Sequence, residues 1–270
     1  MYFEVETIFT DFEALPSSDT LLNLSYVCEV LLINPSNPLL KGCCDQAAER
    51  SLEWLKAGLL TEVLFSHAEH AYPIALLVAL SRRSDQFDID YLRTLADLVA
   101  HKIILMSELP YLSLSAIHAL FGTDTVSINF EVLPSIALKS MIDKRVLRSR
   151  SDEYDVTSLM HAMSVVKHHQ ALPDQRPFVF ATALLMRAIR NGDANWLAVL
   201  AYLCHEIFPC NQMVLAAAYR RLDQSSLSDE GIMPPPSKDV LYPEFLERSD
   251  RGLKLRSSLA RSAFMESVRA

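Results

Sequence analysis

Apolar residues recur every three and four positions along most of this chain, the spacing that lines one face of a helix with about 3.6 residues per turn. From 18 to 33, Leu21, Leu22, Leu24, Val27, Val30 and Leu31 keep that rhythm behind the cap-forming Ser17-Ser18-Asp19, and Pro35 and Pro38 close it. Further helices are predicted over 39–56, with Gly58 as the stop, over 59–70, and from Tyr72 through the all-apolar stretch 73–80. Proline lacks a backbone donor and crowds the preceding turn, so Pro73 marks a break or kink before that last helix. The same period predicts helices at 89–106, 111–121, 132–147, 155–168, 178–189, 196–207 and 212–222. Arg190-Asn191-Gly192-Asp193 reads as a helix stop followed by a new cap. Alternation of the strand type is best developed at 125–132, through Val126, Ile128, Phe130 and Val132, with 2–8 as its one conceivable partner. Two strands make no sheet-based core, so the expected fold class is all-α.

The helices carry one internal echo. Shifted by 105 residues, Leu80-x-Arg82 falls on Leu185-x-Arg187, and Tyr91-Leu92-x-x-Leu95-Ala96-x-Leu98 falls on Trp196-Leu197-x-x-Leu200-Ala201-x-Leu203. An apolar helix hairpin cannot bury both faces alone, so the expected architecture is antiparallel helix hairpins stacked as an α-solenoid or α/α-toroid-like bundle. The predicted organisation is a helical domain at 1–223, a Ser- and Pro-rich linker at 224–238 and a helical tail at 239–270. Within that tail, 253–268 forms an amphipathic helix with Leu253, Ala260, Phe264 and Val268 near one side. Deleting 239–270 is then expected to leave a folded body.

Composition narrows the function classes. Six glycines among 270 residues, at 42, 58, 122, 192, 231 and 252, are too far apart for a dinucleotide fingerprint, a Walker loop or a nucleophile elbow, each of which needs neighbouring glycines. The formal charge is −8, yet the segment from 251 onward holds Arg251, Lys254, Arg256, Arg261 and Arg269 against Glu266 alone. An acidic body with a basic end argues against nucleic-acid binding, and it lets the end dock on its own body, on an acidic partner or on a second copy of the chain. The longest apolar runs, 71–80 and 196–204, fall short of the roughly 18 residues that span a membrane. An acidic start without a secretory n-region and five cysteines with no Cys-x-x-Cys lead us to expect a cytoplasmic protein with reduced thiols. Of the vicinal Cys43-Cys44, one is expected to point inward and the other to a helix flank.

Histidines are the chemically suggestive group. His67 and His70, three apart, share one face of a continuous helix, and two imidazoles on one helix supply half of a metal site that a second helix completes. His161, on the predicted helix 155–168, and His205, between Cys204 and Glu206, are the residues that could complete it. The candidate catalytic set is therefore His67, His70, His161 and His205, and the candidate ligands of a divalent metal are His67, His70 and His161. The bland reading weighs against both, because His67 and His70 stand just before the Pro73 break, where imidazoles interact well with a helix C-terminus.

Two stretches, Ser51-Leu52-Glu53-Trp54-Leu55 and Tyr154-Asp155-Val156-Thr157-Ser158-Leu159-Met160-His161, resemble motifs of an uncharacterised all-α bacterial domain family. Some members are encoded near natural-product biosynthesis genes. Where that pattern places a histidine directly after the threonine, this chain has Ser158, with His161 three positions on. The resemblance implies a helical fold and a place in biosynthesis. Two functions are consistent with the residues. The first is an interaction or accessory module for a protein or peptide partner; the second is a natural-product or peptide tailoring enzyme that takes a small-molecule or peptide substrate in a histidine-lined pocket, working either by acid–base chemistry alone or with a divalent metal.

Overall fold

A computed structural model describes residues 18–34, 36–57, 80–81, 176–191, 194–206, 210–225 and 243–269. Every regular element among the described residues is helical: α1 (Ser18–Ile33), α2 (Lys41–Lys56), α3 (Arg176–Asn191), α4 (Ala194–Glu206), α5 (Gln212–Asp223) and α6 (Pro243–Arg269). The described structure is all-α, as the apolar spacing requires. The helices expected over 59–70, 72–79, 89–106, 111–121, 132–147 and 155–168 lie outside the described residues, as do both strand candidates and positions 226–238 of the linker. No helix among the described residues is long and apolar enough to cross a membrane.

Local chemistry explains where the helices begin. Helix α1 spans the predicted range 18–33. Helix α2 starts two residues later than its apolar pattern suggests, because Asn37 turns the chain first. The Asn37 side-chain oxygen accepts the Leu39 N–H at 3.0 Å, and its carbonyl accepts those of Leu40 and Lys41 at 3.0 and 2.9 Å. Those donors would otherwise be orphans of a helix start. Helix α5 is capped in the same way by Asn211, whose side chain accepts the Met213 N–H at 2.8 Å. Helix α6 begins ten residues before its amphipathic segment, with Pro243 in first position, where a missing N–H costs nothing.

Packing centres on α6. It lies along both α1 and α4, while α3 and α5 pack on α4; α1 touches α4 and α2 only lightly. Helix α4 is buried from Asn195 through Cys204 without a break, so a helix apolar all round has neighbours all round. Helix α1 buries Leu24 and the whole run Val27–Ile33, including a glutamate, Glu29. From α6 the core takes Leu253, Leu255, Leu259, Ala260, Ala263, Phe264 and Met265. On α2 the inward stripe is wide enough to take both Cys43 and Cys44, along with Ala47, Ala48, Ser51, Leu52 and Trp54. Adjacent residues sit about 100° apart on a helix, so a stripe of that width holds both thiols inside. Neither occupies the helix flank expected for one of them.

Three polar contacts fix how α6 meets its neighbours. The Arg256 guanidinium lies 3.1 Å from the Glu29 carboxylate, both nearly fully buried, and stacks 5.0 Å over the Tyr26 ring. Gly252 brings the α6 backbone against α1. A Cβ there would meet the Asn23 Cα and carbonyl oxygen at 2.6 Å, and the Gly252 N–H donates to the Asn23 side-chain oxygen at 2.6 Å. Further along, Arg261 donates from Nε and a terminal nitrogen to the Leu222 carbonyl oxygen, at 3.3 and 3.2 Å. That places a cation on the C-terminal end of α5, where the helix dipole favours it. The basic side chains of the tail sequence thus hold their own fold together.

Candidate functional site

Chemistry-bearing side chains converge where α4 ends. Its last turn carries Tyr202, Cys204, His205 and Glu206, and a helix rotates about 100° per residue, so these groups leave in different directions. Tyr202 and Glu206, four apart, share the face toward the turn between α1 and α2. There Asn37 donates from Nδ2 to the Tyr202 hydroxyl at 3.3 Å, and Asn34 donates from Nδ2 to the Glu206 carboxylate at 2.7 Å. The two asparagines flank Pro35 and stop the chain at the same moment as they tie it to α4.

Glu206 sits at the wrong end of a helix for a carboxylate, since the C-terminal dipole disfavours negative charge. Neighbouring groups from three elements compensate. His205 Nδ1 lies 3.6 Å from Oε1, Asn34 holds Oε2, and the Ser267 hydroxyl of α6 donates to Oε1 at 3.4 Å. Together these neighbours, the imidazole first, hold the Glu206 carboxyl below its usual range against the opposing effect of burial. The His205 ring packs edge-on against Phe264 of α6, 5.9 Å between centroids and 76° between planes. A carboxylate beside an imidazole can orient a general base, but here both groups are also spent on joining α1, α4 and α6.

On the other side of the same turn lies a pair of thiols. Cys204 is buried on α4, and Cys210 is half-buried just before the cap of α5. The Cys204 thiol hydrogen-bonds the Cys210 sulfur, and Thr182 Oγ1 of α3 lies 3.1 Å from that same sulfur. The Asn211 backbone N–H adds a third donor. Hydrogen bonds to a sulfur favour its thiolate, and Cys204 first, then Thr182 and Asn211, bring the Cys210 thiol down to about 6 despite the opposing effect of burial. Cys204 moves the other way. Donating its proton to Cys210, and buried besides, it stays a thiol far above the usual range. Cys28, wholly buried in α1, is likewise held as a thiol by burial and by the neighbouring Cys44.

Of the residues singled out from sequence, only His205 falls in the described structure; His67, His70 and His161 lie outside the described residues. Among the described residues no three of His, Cys, Asp or Glu gather as metal ligands. Of the two segments that carried the family resemblance, 51–55 lies on α2 with Ser51, Leu52 and Trp54 buried, and 154–161 lies outside the described residues. Sequence reasoning passed over Cys204 with Cys210 and Asn34 with Asn37. Each pair had a signal in the sequence: a proline, Pro35 or Pro209, stands between the two members, and proline is a residue type that favours turns. No family model, no curated protein and no solved structure matches the chain.

Proposed function

We propose that this chain is a helical interaction module whose α3–α5 surface docks a protein or peptide partner. The observation that carries the reading is the exposure of two methionines on adjoining helices, Met186 of α3 at 41% and Met213 of α5 at 75%. Each lies within about one turn of the contact between Thr182 and Cys210 that pins the start of α5 to α3. Methionine is unbranched and polarisable, so a pair of them adapts to varied apolar partners. The half-buried histidine and carboxylate at the end of α4 are bound up with neighbouring helices, which favours an accessory role over a histidine-lined pocket. In the same reading, α3, α4 and α5 pack successively as part of a solenoid or toroid of stacked hairpins, with the methionine surface on its outside.

Selection of displayed helical peptides on the full chain tests this, with the Met186→Lys/Met213→Lys double variant as counter-target. Both side chains are exposed, so the variant is expected to keep its stability within about 0.5 kcal/mol. Ligands that lose about tenfold or more in affinity for the variant support the reading. Ligands that bind both proteins equally would sink it.

A further inference from the structure

We propose that Cys210 and Cys204 form a thiol–disulfide exchange site for low-molecular-weight disulfides, with Cys210 as the attacking sulfur and Cys204 as the resolving one. The geometry is that of a dithiol built from two elements. Cys210 is partly exposed just before α5, Cys204 is buried on α4, and the two are hydrogen-bonded to each other. Thr182 holds the outer sulfur from the third side at 3.1 Å. An attacking thiol must be reachable and partly ionised, and a resolving thiol must be close, protected and protonated until needed. The two cysteines divide those properties between them. An attacking thiol serves best when its pKa lies near the working pH, and the hydrogen bonds that Cys210 receives move its thiol in that direction.

The chemistry balances in two steps. The Cys210 thiolate attacks one sulfur of a disulfide R–S–S–R, a bond forms between Cys210 and one R–S group, and the reagent's own S–S bond breaks to release R–S⁻. That anion takes up from water the proton Cys210 had earlier given to it. The Cys204 sulfur then attacks Cys210, passing its proton to the second R–S⁻ as that group leaves. Two protein thiols have lost two electrons, one small disulfide has become two thiols, and Cys204 and Cys210 are joined. Closing that bond draws the two hydrogen-bonded sulfurs to about 2.05 Å and locks the end of α4 to the start of α5. The lock lies beside Met186 and Met213, but it depends only on the thiols and Thr182, so it stands or falls apart from any partner.

The test treats the reduced full-length chain with oxidised glutathione, quenches with an alkylating agent and reads intact mass and a non-reduced peptide map. Wild type is expected to lose two of its five thiols and yield a peptide linking Cys204 to Cys210. The Cys204→Ala variant is expected to stop at a single glutathionyl adduct on Cys210, and Cys210→Ala to form neither adduct nor link. Cys210 is expected to react about tenfold or more faster than Cys28, Cys43 or Cys44. The same chain unfolded in urea is expected to lose that preference. Any of three results overturns the proposal: no Cys204–Cys210 link in wild type, first reaction at another cysteine, or an equal preference in urea, which would make sequence proximity the cause. The wild-type map decides even where a variant fails to fold.

Discussion

Where α1 meets α6, Glu29 and Arg256 face each other at 3.1 Å with side chains only 4% and 5% exposed. Where α4 gives way to α5, Cys204 and Cys210 are hydrogen-bonded to each other, but Cys210 is only partly buried. Both are polar pairs, the first joined across 227 positions of sequence and the second across six. The first is sealed, satisfied by full charges and an aromatic face, and can only hold. The second is only partly buried at Cys210, and its members differ in ionisation, so it can react. Burial on both sides turns a polar pair into a structural rivet, and burial on one side leaves it available for chemistry.

The severest way to break the contrast is to remove α6. Seven of its apolar side chains lie in the core against α1 and α4, and at about 1.5–3 kcal/mol for each fully buried large side chain their loss rivals the whole stability of a domain. Deleting 243–270 is therefore expected to abolish the cooperative unfolding transition in circular dichroism. This reverses the expectation from sequence that the body folds without its tail. Survival of a sharp transition would show that the α1–α6 seam is dispensable.

Breaking one member of the sealed pair comes next. Glu29→Gln or Arg256→Met leaves a charge buried without its counter-charge, and either is expected to cost about 3–5 kcal/mol in urea unfolding. The double change to Glu29→Leu with Arg256→Met is expected to recover most of that loss, since apolar replacement of both partners removes the desolvation cost. Non-recovery would assign the loss to packing around Tyr26 instead of to the ion pair.

Gly252→Ala probes the same seam more gently. The new methyl meets Asn23 backbone atoms at 2.6 Å, which cannot swing aside like a side-chain tip. Overpacking of that kind costs about 1–3 kcal/mol, and it is expected to outweigh the gain of up to about 1 kcal/mol from better helix propensity. A variant more stable than wild type would mean that α6 can slide along α1.

At the open end, the smallest effect is tied to pH. The folded state holds the Glu206 carboxyl below its ordinary value, so its stabilisation is complete above the unfolded value of about 4.3. It is lost as pH falls through the lower folded value. Glu206→Gln is expected to cost about 1–2 kcal/mol at neutral pH, by weakening charge-assisted bonds to Asn34 and Ser267. That difference from wild type is expected to shrink toward zero as pH falls through the folded value. A gap that stayed constant in acid would place the loss in packing and not in charge.

The sequence by itself determined helix identity and, for several elements, helix length. The apolar period marked 18–33, 196–207 and 212–222, and the observed helices are Ser18–Ile33, Ala194–Glu206 and Gln212–Asp223. Period and capping are local properties, written in residues within one or two turns of each other, so a linear reading captures them. The tertiary structure alone decided which polar groups meet. Nothing near Arg256 points to Glu29, which lies 227 positions away, and nothing near Gly252 points to Asn23. A basic helix read in isolation looks like a tail seeking a partner, and in the fold its arginines find a carboxylate, a helix end and a tyrosine within the same chain. His205 was legible as a residue type, but its restraint by Glu206 and Phe264 depended on α6 arriving from the far end of the sequence. Contacts between distant segments are set by how whole helix faces exclude water, a property of the assembled surfaces that no single stretch of residues contains.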